Sequence, residues 1–259
     1  MKKLFILLGR KSVNFITELG QFGILSLRIF RYFPTLVKNK VIVLKQMELV
    51  GNKSLPLVLL IGIFTGMITA LEATSLFDKF NMLNIAKPFL GSSIATSIFT
   101  ELSPVLTALV IAGRIGASMA AEIGTMKVTE QIDALEMMSI DKHRYLGMPR
   151  TVATIVMMPV LVLISYLVGL AGAYVLTIIK FDFSLYAFFE SVQRFFKIKE
   201  IIIGLIKSSV FGGVTSLIGV YVGFKTTGGA EGVGNSTVRA FTLSAAAILF
   251  LDALFGFFY

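Results

Sequence analysis

The chain has 259 residues, of which 56% are hydrophobic and only 15% charged, with a mean hydropathy of +0.85. That balance is too apolar for a soluble domain and describes an integral membrane protein. The formal charge of +9 is not interleaved with aromatics as on a nucleic-acid-binding surface, and the lack of cysteine excludes a disulfide framework, thiol catalysis and a thiolate metal site.

The opening MKKLFILLGRK has a charged start and an apolar patch over residues 4–8. The patch is too short for a secretory signal and no small-residue cleavage site follows, so the segment is expected to be retained. Ten of the 24 Lys and Arg precede Ser54, against only Glu18 and Glu48. The positive-inside tendency places this part in the cytoplasm, near anionic headgroups. Phe15, Leu19, Phe22, Ile29 and Phe33 then recur at helical spacing, with Gln21, Arg28 and Arg31 turned away. This is the pattern of an amphipathic helix lying in the interface; a cytoplasmic helix packed on the bundle would read the same. Pro34 ends it, and the basic stretch 38–53 leads into the first span. Residues 1–50 therefore read as an N-terminal amphipathic segment and residues 51–259 as an all-α bundle of five transmembrane helices.

Residues 54–74 form the first span, with Gly62 and Gly66 spaced as a close-packing pair. After a connection over 75–87, residues 88–123 would measure about 54 Å by helical rise, too long for one straight crossing. Pro104 is expected to kink this segment, and its last turns to project into the cytoplasm. Its second half alternates small residues, among them Gly113, Gly116, Ala120 and Gly124, which let helix backbones approach closely in lipid. Gly124 is read as the end of the run. Residues 128–138 are read as a separate amphipathic helix with Val128, Ile132, Leu135 and Met138 on one side and Glu130, Asp133 and Glu136 on the other. At roughly 16 Å it is too short to span and should lie outside the membrane. A polar loop with the sole histidine, His143, follows over 139–144, and Pro149 suits the start of a third span over 149–179. Residues 181–199 read as an external connection with some interfacial helix, 200–224 as the fourth span, 225–237 as a Gly-rich internal loop and 238–258 as the fifth span. Five crossings from a cytoplasmic start put the C-terminus outside.

Counting residues along these spans predicts an intramembrane meeting. Lys207 lies seven residues into the fourth span, Asp252 seven before the end of the fifth, and Glu101 enters the second from the same side. Ionisable residues at that depth pair or line a polar path, so the trio is a candidate for headgroup contact or gating, or else a structural cluster locking helices together. Arg114 and Glu122, eight residues or about two turns apart, point broadly the same way and can be an interfacial structural pair or part of the path.

The run ELSPVLTALVIAGRIGASMAAEIGTMKVTEQIDALEMMSID, from Glu101 to Asp141, resembles the signature of the MlaE/YrbE-type permeases, the membrane subunits of phospholipid ABC transporters that work with MCE-domain proteins. Pro104, Arg114, Gly116, Glu122 and Gly124 carry the motif. Thr100 stands where many members have a basic residue, so the resemblance carries over no ion pair there. It implies that the short acidic helix, through Glu130, Gln131, Asp133, Leu135 and Glu136, is the coupling helix that docks into an ATPase subunit. It further implies a homodimer in a bacterial inner membrane, with phospholipid in a central outward-facing cavity and an MCE-domain protein above it in the periplasm. Such a system supports outer-membrane lipid asymmetry. ATP and Mg would be bound by the partner ATPase and no cofactor or metal by this chain.

Competing signals are weak. No Gly-Lys dipeptide occurs, so there is no P-loop, and GGAEGVG at 228–234 lacks a dinucleotide fingerprint's spacing and reads as a flexible turn. One histidine cannot make a metal cluster or credible triad, and no nucleophile-base pair supports a membrane-embedded lipid enzyme. An ion-coupled transporter or channel using Glu101 and Asp252 is the remaining alternative. The absence of a transit-like leader favours a bacterial membrane over a plastid.

Overall fold

The computed structural model describes residues 2–80, 83–181, 184–195 and 197–258. Among these residues the regular structure is helical and no strand occurs. Five helical stretches are long and apolar enough to cross a membrane: Lys40–Lys79, Pro88–Val128, His143–Lys180, Ile198–Phe224 and Gly229–Phe258. In hydrocarbon each backbone N–H and C=O must be satisfied without water, which a helix does within its own segment. The protein is an all-α integral membrane protein.

Helix α1 (Lys2–Arg31) is amphipathic and gives way to a 3₁₀ turn over Phe33–Thr35. Leu25 and Ile29 are the buried anchors, and Phe22 packs edge-on against Tyr221, while Leu19 is more than half exposed. The side chain of Phe15 lies outside the described ones. Polar ties then fix α1 to the bundle: Glu18 accepts twice from Arg239, and the Tyr221 hydroxyl donates to the Glu18 carbonyl.

The basic stretch expected to lead into the first span is instead its first four turns. Helix α2 (Lys40–Lys79) runs through residues 50 and 51 and past the expected end at Thr74. It lies along α7 (Met148–Phe181), and the two backbones touch. A Cβ on Gly66 would fall 1.8 Å from the Gly169 carbonyl oxygen, and one on Gly172 2.5 Å from that of Ile63. With no hydrophobic drive between helices in lipid, such close packing is what holds them.

The second span is five pieces on one path: α3 (Leu83–Ser97), a π-helical turn Ile98–Leu102, α4 (Ser103–Ile111), a second π turn Ala112–Gly116 and α5 (Ala117–Val128). The irregularity expected at Pro104 takes the form of the first π turn. Ser103 N–H bonds to the Ile98 carbonyl five residues back, and Pro104 has no N–H to give. The carbonyls of Phe99 and Thr100 therefore lose their α-helical donors. Gly124 does not end the helix. It lies inside α5, where a Cβ would meet Thr226 Oγ1 at 2.7 Å.

The amphipathic segment after it is shorter than the sequence suggests. Val128 closes α5, Glu130 turns left-handed at φ 59°, and α6 covers only Gln131–Met137. His143 opens a third π turn, His143–Gly147, that leads into α7; it is buried edge-on against Phe224 and does not sit in an open polar loop. Helix α8 (Leu185–Phe195) packs on α3 through Phe188, in the place expected for an interfacial connection. Helices α9 (Ile198–Phe224) and α10 (Gly229–Phe258) complete the bundle. The Gly-rich stretch expected as a loop is mostly helix. Only residues 225–228 connect the two, and positive φ at Gly228 and Gly229 makes the turn.

Candidate functional site

Lys207 projects from α9 with 1% of its side chain exposed. Its ammonium donates to Glu101 Oε1 at 2.8 Å, to Asp252 Oδ1 at 3.0 Å and to the Thr100 carbonyl at 3.2 Å. The three residues placed at one depth by sequence counting thus meet, joining the second, fourth and fifth spans. Three ammonium protons find three acceptors, two of them anionic.

The backbone contribution explains why the site is here. Thr100 is four residues before Pro104, so its carbonyl is the one a proline leaves bare, and Lys207 fills it. The Phe99 carbonyl, freed by the π turn, accepts from the buried Tyr166 hydroxyl at 2.7 Å. Tyr166 was not picked out by the sequence; a tyrosine inside an apolar span was the available signal. Gly204, on the Lys207 face of α9, makes room, since a Cβ there would lie 2.1 Å from the Tyr166 hydroxyl. About one turn outward from Gly204, Glu200 is a further buried carboxylate, accepting from Thr96 Oγ1 at 2.8 Å. The cluster is not sealed: Glu101 keeps 47% of its side chain exposed and Asp252 21%.

The other motif charges do not join. Glu122 pairs across to Arg150 on α7 at 3.3 Å, and Arg150 also donates to the Leu146 carbonyl. Arg114, in the second π turn, has no hydrogen bond or ion pair among the described residues. Gly116 serves packing: its carbonyl oxygen would lie 2.7 Å from a Cβ on Gly219 of α9.

At the far end of the bundle, α6 is bracketed by two left-handed residues, Glu130 and Ser139. Ile140 N–H bonds to Leu135 O and Ser139 N–H to Glu136 O, a Schellman closure with serine in the place glycine usually takes. Ile132 is fully buried and Leu135 partly, so these two anchor the helix. Lys127 holds Asp133 at 2.7 Å and Lys142 holds Glu136 at 2.8 Å, while the Gln131 amide donates to Thr129. Met138, expected on the buried side with Val128, is 69% exposed, and Met137 beside it is 87% exposed. The outward face of this segment is therefore mixed, acidic at Glu130 and apolar at the methionine pair.

Asp141 fastens the segment to α1. Its Oδ1 accepts from His143 N–H at 2.7 Å and Arg144 N–H at 3.2 Å, and its Oδ2 from the Tyr32 hydroxyl at 2.9 Å. Partial burial pushes the carboxyl up, but the Tyr32 and backbone hydrogen bonds outweigh it and hold the group below its ordinary 3.8. A lowered value means the contribution is complete above the ordinary carboxylate range and is lost as pH falls through the lowered value. Tyr32→Phe removes one donor, so the start of the third π turn is expected to fray at a higher pH on acidification. Amide exchange at His143 and Arg144 against pH reads this.

The model of the family described as Permease MlaE matches residues 43–258. A probable ABC transporter permease protein of Rickettsia typhi is 37% identical over 251 residues, 96% of this chain and 94% of its own length. The intermembrane phospholipid transport system permease protein MlaE of Haemophilus influenzae is 32% identical over 246 residues, 95% of this chain and 93% of its own. The chloroplastic protein trigalactosyldiacylglycerol 1 of Arabidopsis thaliana is 36% identical over 216 residues, 83% of this chain and 61% of its own.

Proposed function

The chain belongs to the MlaE permease family and is a membrane permease subunit of the ABC-transporter type, and on that premise we propose that it moves phospholipid between the membrane it spans and an MCE-domain assembly. In this reading it works as a homodimer in a bacterial inner membrane with its N-terminus cytoplasmic. A separate ATPase binds ATP and Mg and docks on α6, and the transport supports outer-membrane lipid asymmetry.

The observation that carries the lipid reading is the half-open ion cluster. A carboxylate at membrane depth that is both paired with Lys207 and accessible through Glu101 offers a polar foothold in an apolar wall. A headgroup can exchange with part of the Lys207 shell there while acyl chains lie on the exposed leucines, isoleucines and phenylalanines of the spans. The coupling reading rests on α6. Its left-handed brackets and the ion pairs to Lys127 and Lys142 fix a short helix rigidly to the second and third spans, so a partner that displaces it moves both.

Affinity purification from the native membrane in mild detergent, with mass spectrometry of proteins and lipids, tests both. The expected result is co-recovery of an ATPase, an MCE-domain protein and phospholipid. Met137→Asp with Met138→Asp is expected to reduce ATPase recovery about tenfold or more, since two methionines buried in a docking groove contribute roughly 1.5 kcal/mol or more each. Reversing Glu130 and Asp133 should do the same. A chain that comes out alone and lipid-free would instead favour an ion-driven transporter working through Glu101 and Asp252.

A further inference from the structure

Beside the π turn that carries Glu101, between it and α2, lies a cavity of about 540 Å³. Its polar lining is Thr69, Glu72, Ser75 and Lys79 from α2 and Ser97 from α3, with Leu76 and Leu102 among the apolar walls. Glu72 sits about 10 Å by helical rise in from the Lys79 end of α2, within a membrane-spanning helix. Among the described residues neither Glu72 nor Lys79 has an ion-pair partner, and both are exposed to this space. An intramembrane carboxylate left without a protein partner is costly in lipid, and its position on a cavity marks a place for a ligand charge.

Two of the three lining hydroxyls, those of Thr69 and Ser97, specify the sign of that charge. Thr69 spends its proton on the Thr65 carbonyl at 2.7 Å, and Ser97 spends its own on the Ser93 carbonyl at 3.0 Å. Both are left presenting lone pairs. With the Glu72 carboxylate, the deep part of the cavity is a set of acceptors that calls for a donor carrying several N–H groups. The only cation on the lining, Lys79, is at the rim. Helical side chains lean toward the N-terminus, which inclines Lys79 back toward Glu72 and shortens the gap between the two charges without closing it.

Resting on the lipid-transport reading above, we infer that this cavity selects phospholipids whose headgroup ends in a primary amine. Glu72, Thr69 and Ser97 take the ammonium and Lys79 takes the phosphate. A quaternary ammonium has no N–H to give these acceptors, and none of the lining residues is aromatic to receive it as a cation over a ring. A glycerol headgroup brings no cation, and it would leave Glu72 uncompensated.

The affinity-purified complex, exchanged into vesicles of equal phosphatidylethanolamine and phosphatidylglycerol and re-extracted for lipid mass spectrometry, tests this. Wild type is expected to carry the ethanolamine lipid roughly tenfold over the glycerol lipid, the worth of a hydrogen bond to a charged group. Glu72→Gln, nearly isosteric, should bring that ratio close to one with total lipid unchanged. Lys79→Gln should lower both lipids alike, since both carry the phosphate. In vesicles with phosphatidylcholine replacing the ethanolamine lipid, the wild-type preference should vanish. Bound lipid without headgroup preference, or a preference that survives Glu72→Gln, overturns the selectivity while leaving lipid transport standing. A wild-type complex that takes up no phospholipid from any vesicle counts against lipid transport itself.

Discussion

Lys207→Met is expected to leave too little folded protein to purify. The side chain is buried at 1% exposure, and its removal leaves the Thr100 carbonyl and the mostly buried Asp252 carboxylate without their donor and the half-exposed Glu101 without its partner. Breaking a buried pair from one side costs about 3–5 kcal/mol, because the uncompensated partner remains. The partners are not equivalent. Glu101 is half exposed, so Glu101→Gln is screened by its surroundings and should cost about 1 kcal/mol or less. That makes Glu101 the residue on which function can be read without loss of fold. Replacing the network as a whole, with Lys207→Met, Glu101→Gln and Asp252→Asn together, should restore part of the stability, since removing both signs of charge at once leaves no uncompensated ion. The yield of folded protein after detergent extraction follows the first effect and lipid transfer the second. Recovery of lipid transfer by the triple variant would assign the cluster to helix locking alone.

The second large effect is expected at Gly66→Ala. A single added carbon would stand 1.8 Å from the Gly169 carbonyl oxygen, 2.6 Å from its carbon and 2.9 Å from its Cα. These are backbone atoms and cannot swing aside, so α2 and α7 must part by more than an ångström. The separation also strips contact from Gly62 against Ser165 and Gly172 against Ile63. Overpacking of this kind costs about 3 kcal/mol or more. Gly20→Ala is the matched control: it lies mid-helix in α1 with nothing within 4 Å of the added carbon, and should stabilise by about 0.5–1 kcal/mol. A melting temperature of Gly66→Ala at or above that of the wild type would contradict the backbone contact.

The features legible in the sequence were those fixed by depth and by size. Lys207, Glu101 and Asp252 could be placed together because residues counted from span ends convert to distance across a bilayer, and Gly62 and Gly66 because four-residue spacing keeps small residues on one helix face. The π turns were not legible, since a π turn differs from an α turn by one shifted hydrogen bond and uses the same residues. Only Pro104 hinted at one. Extending α6 backward to Val128 rotated its periodicity, which put Met138 on the wrong side; the left-handed Glu130 that breaks the register has no mark in composition. Helical spacing relates Glu122 to Arg114 because it sees neighbours along a chain, whereas the partner of Glu122, Arg150, comes from another helix. The glycines after Lys225 read as a loop because glycine is a poor helix former, yet a membrane span fixes its helix by solvent and tolerates them.

Asp252 also bears on how the protein is made. Along α10 only Ala240, Ser244 and Ile248 are fully buried against the rest of the chain, and around Asp252 the helix is seated by Leu251 and by Phe255, which packs edge-on against Phe211. During synthesis the ribosome delivers α9 first, leaving Lys207 with Glu101 as its one anionic partner until α10 follows. An aspartate costs up to about 3 kcal/mol at the middle of an inserting segment and less toward its end, where Asp252 lies, a debt the aliphatic and aromatic residues around it cover at roughly half a kcal/mol apiece. Insertion of this span is thus driven by its own apolar residues, and its register is set afterwards, when Asp252 finds the base already waiting in the bilayer.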